Sequence, residues 1–484
     1  MPDLHIQGVD LWAIAAEGVL AVGGLLLLLG GAFVRRARPG PLALAALAIV
    51  LTAAGFLVPS IGRVSRAFDN TVAVDGFAIF LKMALLATAA LTILAMHGYL
   101  RSEGGPIGEA LGLVLFATAG MVLMTAATDL IVIFIALETF SLALYILVAL
   151  RRGRADGQEG SLKYFLTGAF SSAFFLYGIA LVYGATGTTR LLGIARSVRE
   201  VSILQQGLLV PGIALLAIGL VFKISAVPFH MWTPDAYQGA PAPVAGFMAA
   251  GSKIAGFAVA LRLFYVVFPS LRWDWQPILI VISVASMLLG SFAAIAQRNL
   301  KRMLAYSAIA HTGFVLIGLI ANNERGVSGS AFYLAVYAIT IIGAFAVIYA
   351  VGGSGESLVE LRDYRGLWRR QPFLAAVLAV DLISLAGIPP TAGFWAKFEV
   401  FSAGVSAGLT PVVVIAVMTS AVAAFFYLRV IVAMFLEDDE APEPASTHPS
   451  LGIVMIISIV FILLIGVLPT QLLDAARHAG FAFH

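Results

Sequence analysis

The 484-residue sequence contains no cysteine. That excludes disulfides, thiolate-held iron–sulfur clusters and Cys-zinc sites. Charge is scarce too: 11% of residues are Asp, Glu, Lys or Arg, against 61% hydrophobic. A water-soluble surface cannot be built from so few charges, so the composition is that of a polytopic membrane protein. There is no Gly-rich phosphate loop, no dinucleotide fingerprint and no His/carboxylate group at metal spacing. The opening decapeptide, MPDLHIQGVD, lacks the basic flank of a signal peptide, so the first apolar run is expected to be retained as a helix. The net charge is only +3, and the arginines sit in short clusters between apolar runs. Such clusters anchor loops and are not a nucleic-acid surface. With no bond-making machinery in view, the chemistry to expect is transport.

What is present is a series of long apolar runs. A membrane-crossing helix needs about 20 mostly apolar residues, and that rule yields about fourteen spans. They lie near 11–34, 41–59, 76–99, 110–127, 129–150, 162–184, 207–227, 241–268, 277–296, 302–321, 328–351, 372–404, 411–436 and 450–470. The expected fold is therefore all-α, with the fourth and fifth spans closely set around Asp129. The 185–206 linker has enough apolar character for a short helix, and EDDEAPEP (437–444) reads as a solvated acidic loop. Basic residues crowd alternate linkers: Arg35, Arg36 and Arg38; Arg151, Arg152 and Arg154; Arg362, Arg365, Arg369 and Arg370. The positive-inside rule then places both termini outside.

Several ionisable residues fall within the spans. Lys82, Arg262 and Arg429 lie near enough to span ends to snorkel, and Glu17 and Glu399 read as structural or interfacial. Glu138, Lys223, Lys253, His311 and Lys397 lie deeper. Glu138 follows Asp129 by nine residues, roughly 13 Å along a helix and near the middle of the hydrocarbon core. A Lys or Asp at a helix centre costs roughly 2.5–3.5 kcal/mol on insertion scales. One such residue is explained by a salt bridge that locks two helices, and one His by a satisfied core position. A set spread over several spans points to a pathway. All five side chains exchange protons, and a Lys that gains or loses a Glu partner changes its proton affinity.

Two spans are interrupted. Lys223 is followed by ISAVP, with Pro228 five residues on, and ISLAGIPP places Pro389 and Pro390 ahead of Lys397. Proline removes a helix donor and clashes with the preceding turn. In lipid the freed backbone groups must be buried in protein or line a wet cavity. The breaks fall in the seventh and twelfth spans. Spans four to eight (110–268) and nine to thirteen (277–436) then form two units of five, each broken in its fourth member. Five is odd, so the second unit is inverted. Spans one to three (1–109) precede them, and the last span and tail (450–484) follow.

Three stretches carry a resemblance: FKISAVPFHMWTPDAYQGAPAPVAGFMAAGSKIAGF (222–257), NLKRMLAYSAIAHTGFVLIGL (299–319) and SLAGIPPTAGFWAKF (384–398). The chain resembles, over nearly its whole length, the antiporter-like membrane subunits of respiratory complex I, the bacterial NADH–quinone oxidoreductase. The resemblance implies fourteen helices with two inverted repeats. It implies a Glu138–Lys223 pair, a bridging Lys253, then His311 and Lys397, along a hydrated axis in the membrane plane. It implies other membrane-arm subunits as partners, sister antiporter-like subunits among them. It also implies that NADH, FMN, iron–sulfur clusters and quinone are held elsewhere, with no cofactor in this chain, and a bacterial inner membrane as the location. FMAAGSK departs from the His-Ser-x-x-Met-Val-Lys pattern of Mrp antiporter subunits and of the complex I subunits nearest them. Asp381 stands where an apolar residue is expected. The function to expect is a proton-pumping subunit. The alternative is a subunit of a secondary cation/proton antiporter, and a passive scaffold accounts poorly for the buried charges. Flavin- and cluster-bearing partners divide the first two.

Overall fold

Inside a bilayer, backbone amides and carbonyls have no water to pair with, so a chain this apolar satisfies them within helices. The computed structural model describes residues 10–33, 39–151, 153–199, 203–353, 355–437 and 448–481. The first nine residues, Arg35, Arg36, Arg38, Arg152 and the 438–444 part of the acidic loop lie outside the described residues.

The first six spans are α1 (Ala15–Phe33), α2 (Pro39–Leu57), α3 (Gly76–Glu103), α4 (Ile107–Ala126), α5 (Leu130–Val148) and α6 (Ala155–Thr186). The short helix expected within 185–206 is α7 (Leu191–Ser197). The seventh span is α8 (Ile203–Lys223) followed, after an irregular stretch, by α9 (Trp232–Gly239); α10 (Ala242–Leu261) is the eighth. Next come α11 (Arg272–Ile295), α12 (Leu300–Ala321), α13 (Glu324–Gly352) and the single turn α14 (Leu367–Arg370). The twelfth span is split into α15 (Pro372–Ala386) and α16 (Ala392–Ser406). α17 (Thr410–Leu436), α18 (Pro449–Val467) and the short α19 (Thr470–Arg477) complete the chain. Among the described residues twelve helices are long and apolar enough to cross a membrane, and the two spans that are split, α8–α9 and α15–α16, contain shorter apolar helices. One small hairpin departs from the all-α expectation, with β1 (Ser65–Ala67) antiparallel to β2 (Val72–Val74).

Polar caps set the helix starts. Asp129 is the N-cap of α5 and accepts from the Ile131 amide at 2.8 Å, which separates the closely set fourth and fifth spans. Asn299 caps α12 and Asn323 caps α13 in the same way. α10 and α13 are buried along their whole spans and α12 along nearly all of its own, whereas α2 and α6 bury only about a third of theirs. Lys253, His311 and the α13 residues facing them therefore stand at the centre of the bundle.

Lys82 and Arg262 do not snorkel. Lys82 is buried and donates to Glu17 at 2.6 Å, joining α3 to α1. Arg262 is fully buried in a two-pronged contact with Asp75, 2.8 Å on each arm. A counter-charge at the same depth satisfies each cation better than a stretch to the interface. Arg429 instead caps α11, donating to the carbonyls of Ile295 and Gln297 at 2.8 and 2.9 Å. Glu399 keeps a structural place, paired with Arg325 at 3.0 Å and Arg477 at 3.6 Å.

The breaks are sharp. After Lys223 the chain turns through Ser225 at φ 62°, and the Val227 amide is taken by Ser286 Oγ of α11 at 2.9 Å. After Ala386 it turns through Gly387 at φ 83°, a left-handed conformation that glycine adopts without penalty. At the start of α16 a Cβ on Gly393 would collide with the Ser384 carbonyl oxygen, so only a hydrogen fits there.

Candidate functional site: buried cations at two helix breaks

The end of α8 leaves the Ile224 carbonyl without a helical amide to accept. Two side chains take it: Lys253 Nζ of α10 at 3.0 Å and Thr312 Oγ1 of α12 at 2.7 Å. Lys253 Nζ also donates to Thr312 Oγ1 at 2.6 Å. One freed carbonyl thus ties three helices together and holds an ammonium that is 2% exposed. The end of α15 repeats the device. The Ala386 carbonyl accepts from Lys397 Nζ at 2.7 Å, and Lys397 donates also to Ser420 Oγ of α17 at 2.8 Å. Lys397 is 5% exposed and borders an open cleft shared with Arg325, Phe401 and Ser406.

Lys223, the last residue of α8, is 1% exposed. Its Nζ donates to Ser141 Oγ at 2.7 Å and Tyr164 OH at 3.1 Å, and lies 4.3 Å from the centre of the Phe140 ring. Glu138 on α5 is half-buried and accepts from Ser172 Oγ of α6. The direct Glu138–Lys223 pair is not made. Ser141, one turn beyond Glu138, occupies the ammonium, and Ser172 holds the carboxylate, while Lys223 feels the Glu138 charge at longer range. The crevice lined by Ser141, Ser171, Ser172 and Lys223 has no room for a water molecule.

His311 lies midway along α12 and is 4% exposed. Its Nδ1 pairs with Tyr333 OH of α13 at 2.6 Å and its Nε2 with Tyr427 OH of α17 at 3.2 Å; Tyr427 in turn meets Ser307 Oγ. The ring is within electrostatic reach of both Lys253 and Lys397. No hydrogen bond joins His311 to Lys397 among the described residues. The Phe314 ring touches both, 5.8 Å from the imidazole centre and 5.0 Å from Lys397 Nζ. Lys253 thus contacts Ile224 and Thr312, the chain neighbours of Lys223 and His311, whose own side chains turn to other partners, and Lys397 lies beyond the Phe314 ring. Asp381 is not the partner of Lys397; it accepts from Ser458 Oγ of α18 at 2.7 Å. Among the described residues no three His, Cys, Asp or Glu side chains gather as a metal site.

The hydroxyl partners escaped sequence reasoning. Ser141 had a signal, being one turn from Glu138, and Thr312 follows His311 directly. Tyr164, Tyr333, Tyr427 and Ser420 had none, because their contacts cross between helices far apart in the chain.

The family model for the NADH:quinone oxidoreductase/Mrp antiporter transmembrane region matches residues 127–423. NADH-quinone oxidoreductase subunit N of Trichlorobacter lovleyi is 43% identical over 475 residues, 98% of this chain and 97% of that protein. A chain in respiratory complex I from Thermus thermophilus with bound aureothin is 36% identical, with a TM-score of 0.81 over 96% of this chain and all of that one. A chain of the Mrp complex from Dietzia shares the fold, with a TM-score of 0.83 over 97% of each chain at 22% identity. The chain belongs to the NADH-quinone oxidoreductase subunit N family, within the NADH:quinone oxidoreductase/Mrp antiporter group.

Proposed function

We propose that this chain is a proton-translocating membrane-arm subunit of NADH–quinone oxidoreductase, working through Glu138, Lys223, Lys253, His311 and Lys397. The observation that carries the reading is the row of Lys223, Lys253, His311 and Lys397. All four rest on hydroxyls or freed carbonyls, and none forms an ion pair among the described residues. A lysine locked in a salt bridge has no reason to release its proton; one held by neutral acceptors does, once a neighbouring charge changes. Movement of the Glu138 carboxylate from Ser172 toward Lys223 would stabilise the ammonium. Its return would favour passing the proton on toward Lys253, whose acceptor, the Ile224 carbonyl, belongs to the next residue. His311 and Lys397 carry the path into the second unit.

In this reading the two inverted units are 110–268 and 277–436, flanked by 1–109 and 450–484. The protein lies in the bacterial inner membrane with both termini outside. NADH, FMN, the iron–sulfur clusters and quinone bind to partner subunits, and the redox chemistry is theirs. Purification through a tag on this chain tests the assignment. Flavin- and cluster-bearing partners should co-purify, and the complex should acidify vesicles when NADH is added. Recovery with hydrophobic subunits alone, with proton flux driven by a sodium or potassium gradient, would favour an antiporter instead.

A further inference from the structure

Of the buried acids that the axis does not use, Asp381 stands deepest in the second unit and has no ion pair among the described residues. Asp381 is fully buried, nine residues into α15 and five before the freed Ala386 carbonyl. Ser458 Oγ donates to its Oδ1, and Oδ2 has no hydrogen-bond partner among the described residues. Gly343 of α13 makes room for it: a Cβ there would stand 2.8 Å from Oδ2. Among the described residues no cation is paired with it, and Arg429 of α17 is turned to Ile295 and Gln297. α13 presents Gly343, α18 presents Ser458, and Lys397 of α16 is turned to Ala386 and Ser420 of α17. A pocket with one donor and no counter-charge holds a carboxyl that carries its proton, not one that carries charge.

One face of α13 leads from this acid to His311. Tyr333, Tyr337, Thr340 and Gly343 follow at spacings of three and four. Tyr333 binds His311, and Tyr337 and Thr340 line the small cavity beside it. Ser384, one turn from Asp381, lines the same cavity. The Tyr337 hydroxyl is buried and, like Asp381 Oδ2, has no hydrogen-bond partner among the described residues. Two unsatisfied polar atoms along one polar helix face are places where a bridging water is expected.

We propose that Asp381 is a proton relay into the second unit, linking Ser458 on α18 to the His311 cavity along the Tyr333–Tyr337–Thr340–Gly343 face of α13. The O–H bond broken at Oδ2 is matched by one formed on a water between Asp381 and the Tyr337 face, and each carrier from there gives up its own proton as it takes one, ending at Tyr333, whose hydroxyl proton passes to His311 Nδ1. In the same concerted move the Ser458 O–H bond breaks as Oδ1 takes its proton, and a new O–H bond forms on Ser458 Oγ with a proton from a hydronium ion entering beside α18, so that no alkoxide is left. The inference rests on the pumping role proposed above.

The test uses the complete complex in vesicles, with assembly checked on a native gel. Asp381→Asn keeps the acceptor for Ser458 and removes the exchangeable acid. NADH-driven proton uptake should slow about tenfold, equivalent to ~1.4 kcal/mol on the barrier, and an infrared band of a protonated carboxyl should vanish. Asp381→Glu should restore part of the rate. Wild-type uptake in an assembled Asp381→Asn complex, or persistence of every protonated-carboxyl band, would overturn the relay. If that variant does not assemble, Ser458→Ala decides: slowed uptake supports the relay and unchanged uptake overturns it. Lys223→Met, measured in parallel, separates the two ideas. Uptake lost there but kept in Asp381→Asn removes only the relay; uptake kept in both removes the pumping role as well.

Discussion

The two helix breaks solve one problem with lysines from different places. At the first, the Ile224 carbonyl is claimed by Lys253, which comes from the following span, while Lys223 sits just before the break and turns to Ser141 and Tyr164. At the second, the Ala386 carbonyl is claimed by Lys397 from the far half of the same broken span. The repeated feature is a freed carbonyl with an ammonium and a hydroxyl beside it, Thr312 in one case and Ser420 in the other. The lysine's position in the sequence is not repeated. The surroundings differ as well. The first break has a carboxylate within electrostatic range, Glu138. The second has Asp381, turned away toward Ser458, and Glu399, held by arginines. A lysine with a nearby carboxylate can be switched by moving that carboxylate; Lys397 must be switched from along the chain of polar groups.

The largest effect should come from the residue shared most widely. Lys253→Met removes the cation from both Ile224 and Thr312 while keeping apolar bulk. Proton uptake per unit of assembled complex should fall more than tenfold, above ~1.4 kcal/mol on the barrier. Uptake near the wild-type rate would mean that the carbonyl contact only braces the break. Glu138→Gln should act less strongly, because it preserves an acceptor for Ser172 and removes only the charge that Lys223 feels. A fall of about threefold, or ~0.7 kcal/mol, is expected in the same assay, and Glu399→Gln should not reproduce it.

Gly387→Ala probes the second break by itself. The left-handed backbone costs an L-residue about 1–2 kcal/mol, and the new methyl would stand 2.7 Å from Lys397 Cδ. Displacing the ammonium from Ala386 should reduce uptake about twofold, or ~0.4 kcal/mol; no change would show that Lys397 works without that carbonyl. The smallest effect belongs to the N-terminal helices. The double change Glu17→Leu with Lys82→Met replaces both members of a buried pair by apolar residues, which is often close to neutral for stability. Protons moved per NADH should stay at the wild-type ratio. A lowered ratio would extend the pathway into α1 and α3.

The architecture was legible in the sequence because bilayer thickness dictates span length, and proline, glycine and buried lysine are each costly enough there to mark a site. The places of Glu138, Lys253 and His311 midway along their helices followed from counting residues along uninterrupted spans. What was not legible depended on contacts between distant segments. Lys82 lies 65 residues from Glu17, and Arg262 lies 187 from Asp75, so neither counter-charge could be seen in the local sequence. For the same reason Glu138 and Lys223 were expected to touch. Matching depth does not reveal that two serines, Ser141 and Ser172, stand ready to hold them apart. The freed carbonyls were anticipated as a class, but which lysine would claim each one was settled by packing.

The central claim is that a lysine resting on a freed carbonyl at a helix break is a proton carrier, and Lys397→Met tests it most directly. Met keeps the length and apolar bulk of the side chain and removes the exchangeable proton. Vesicle proton uptake and NADH oxidation should be measured on the same preparation of assembled complex. The account predicts that proton uptake falls, with any loss of NADH oxidation following from coupling. Unchanged protons per electron at unchanged turnover would contradict it and leave Lys397 as a peg that fixes the break.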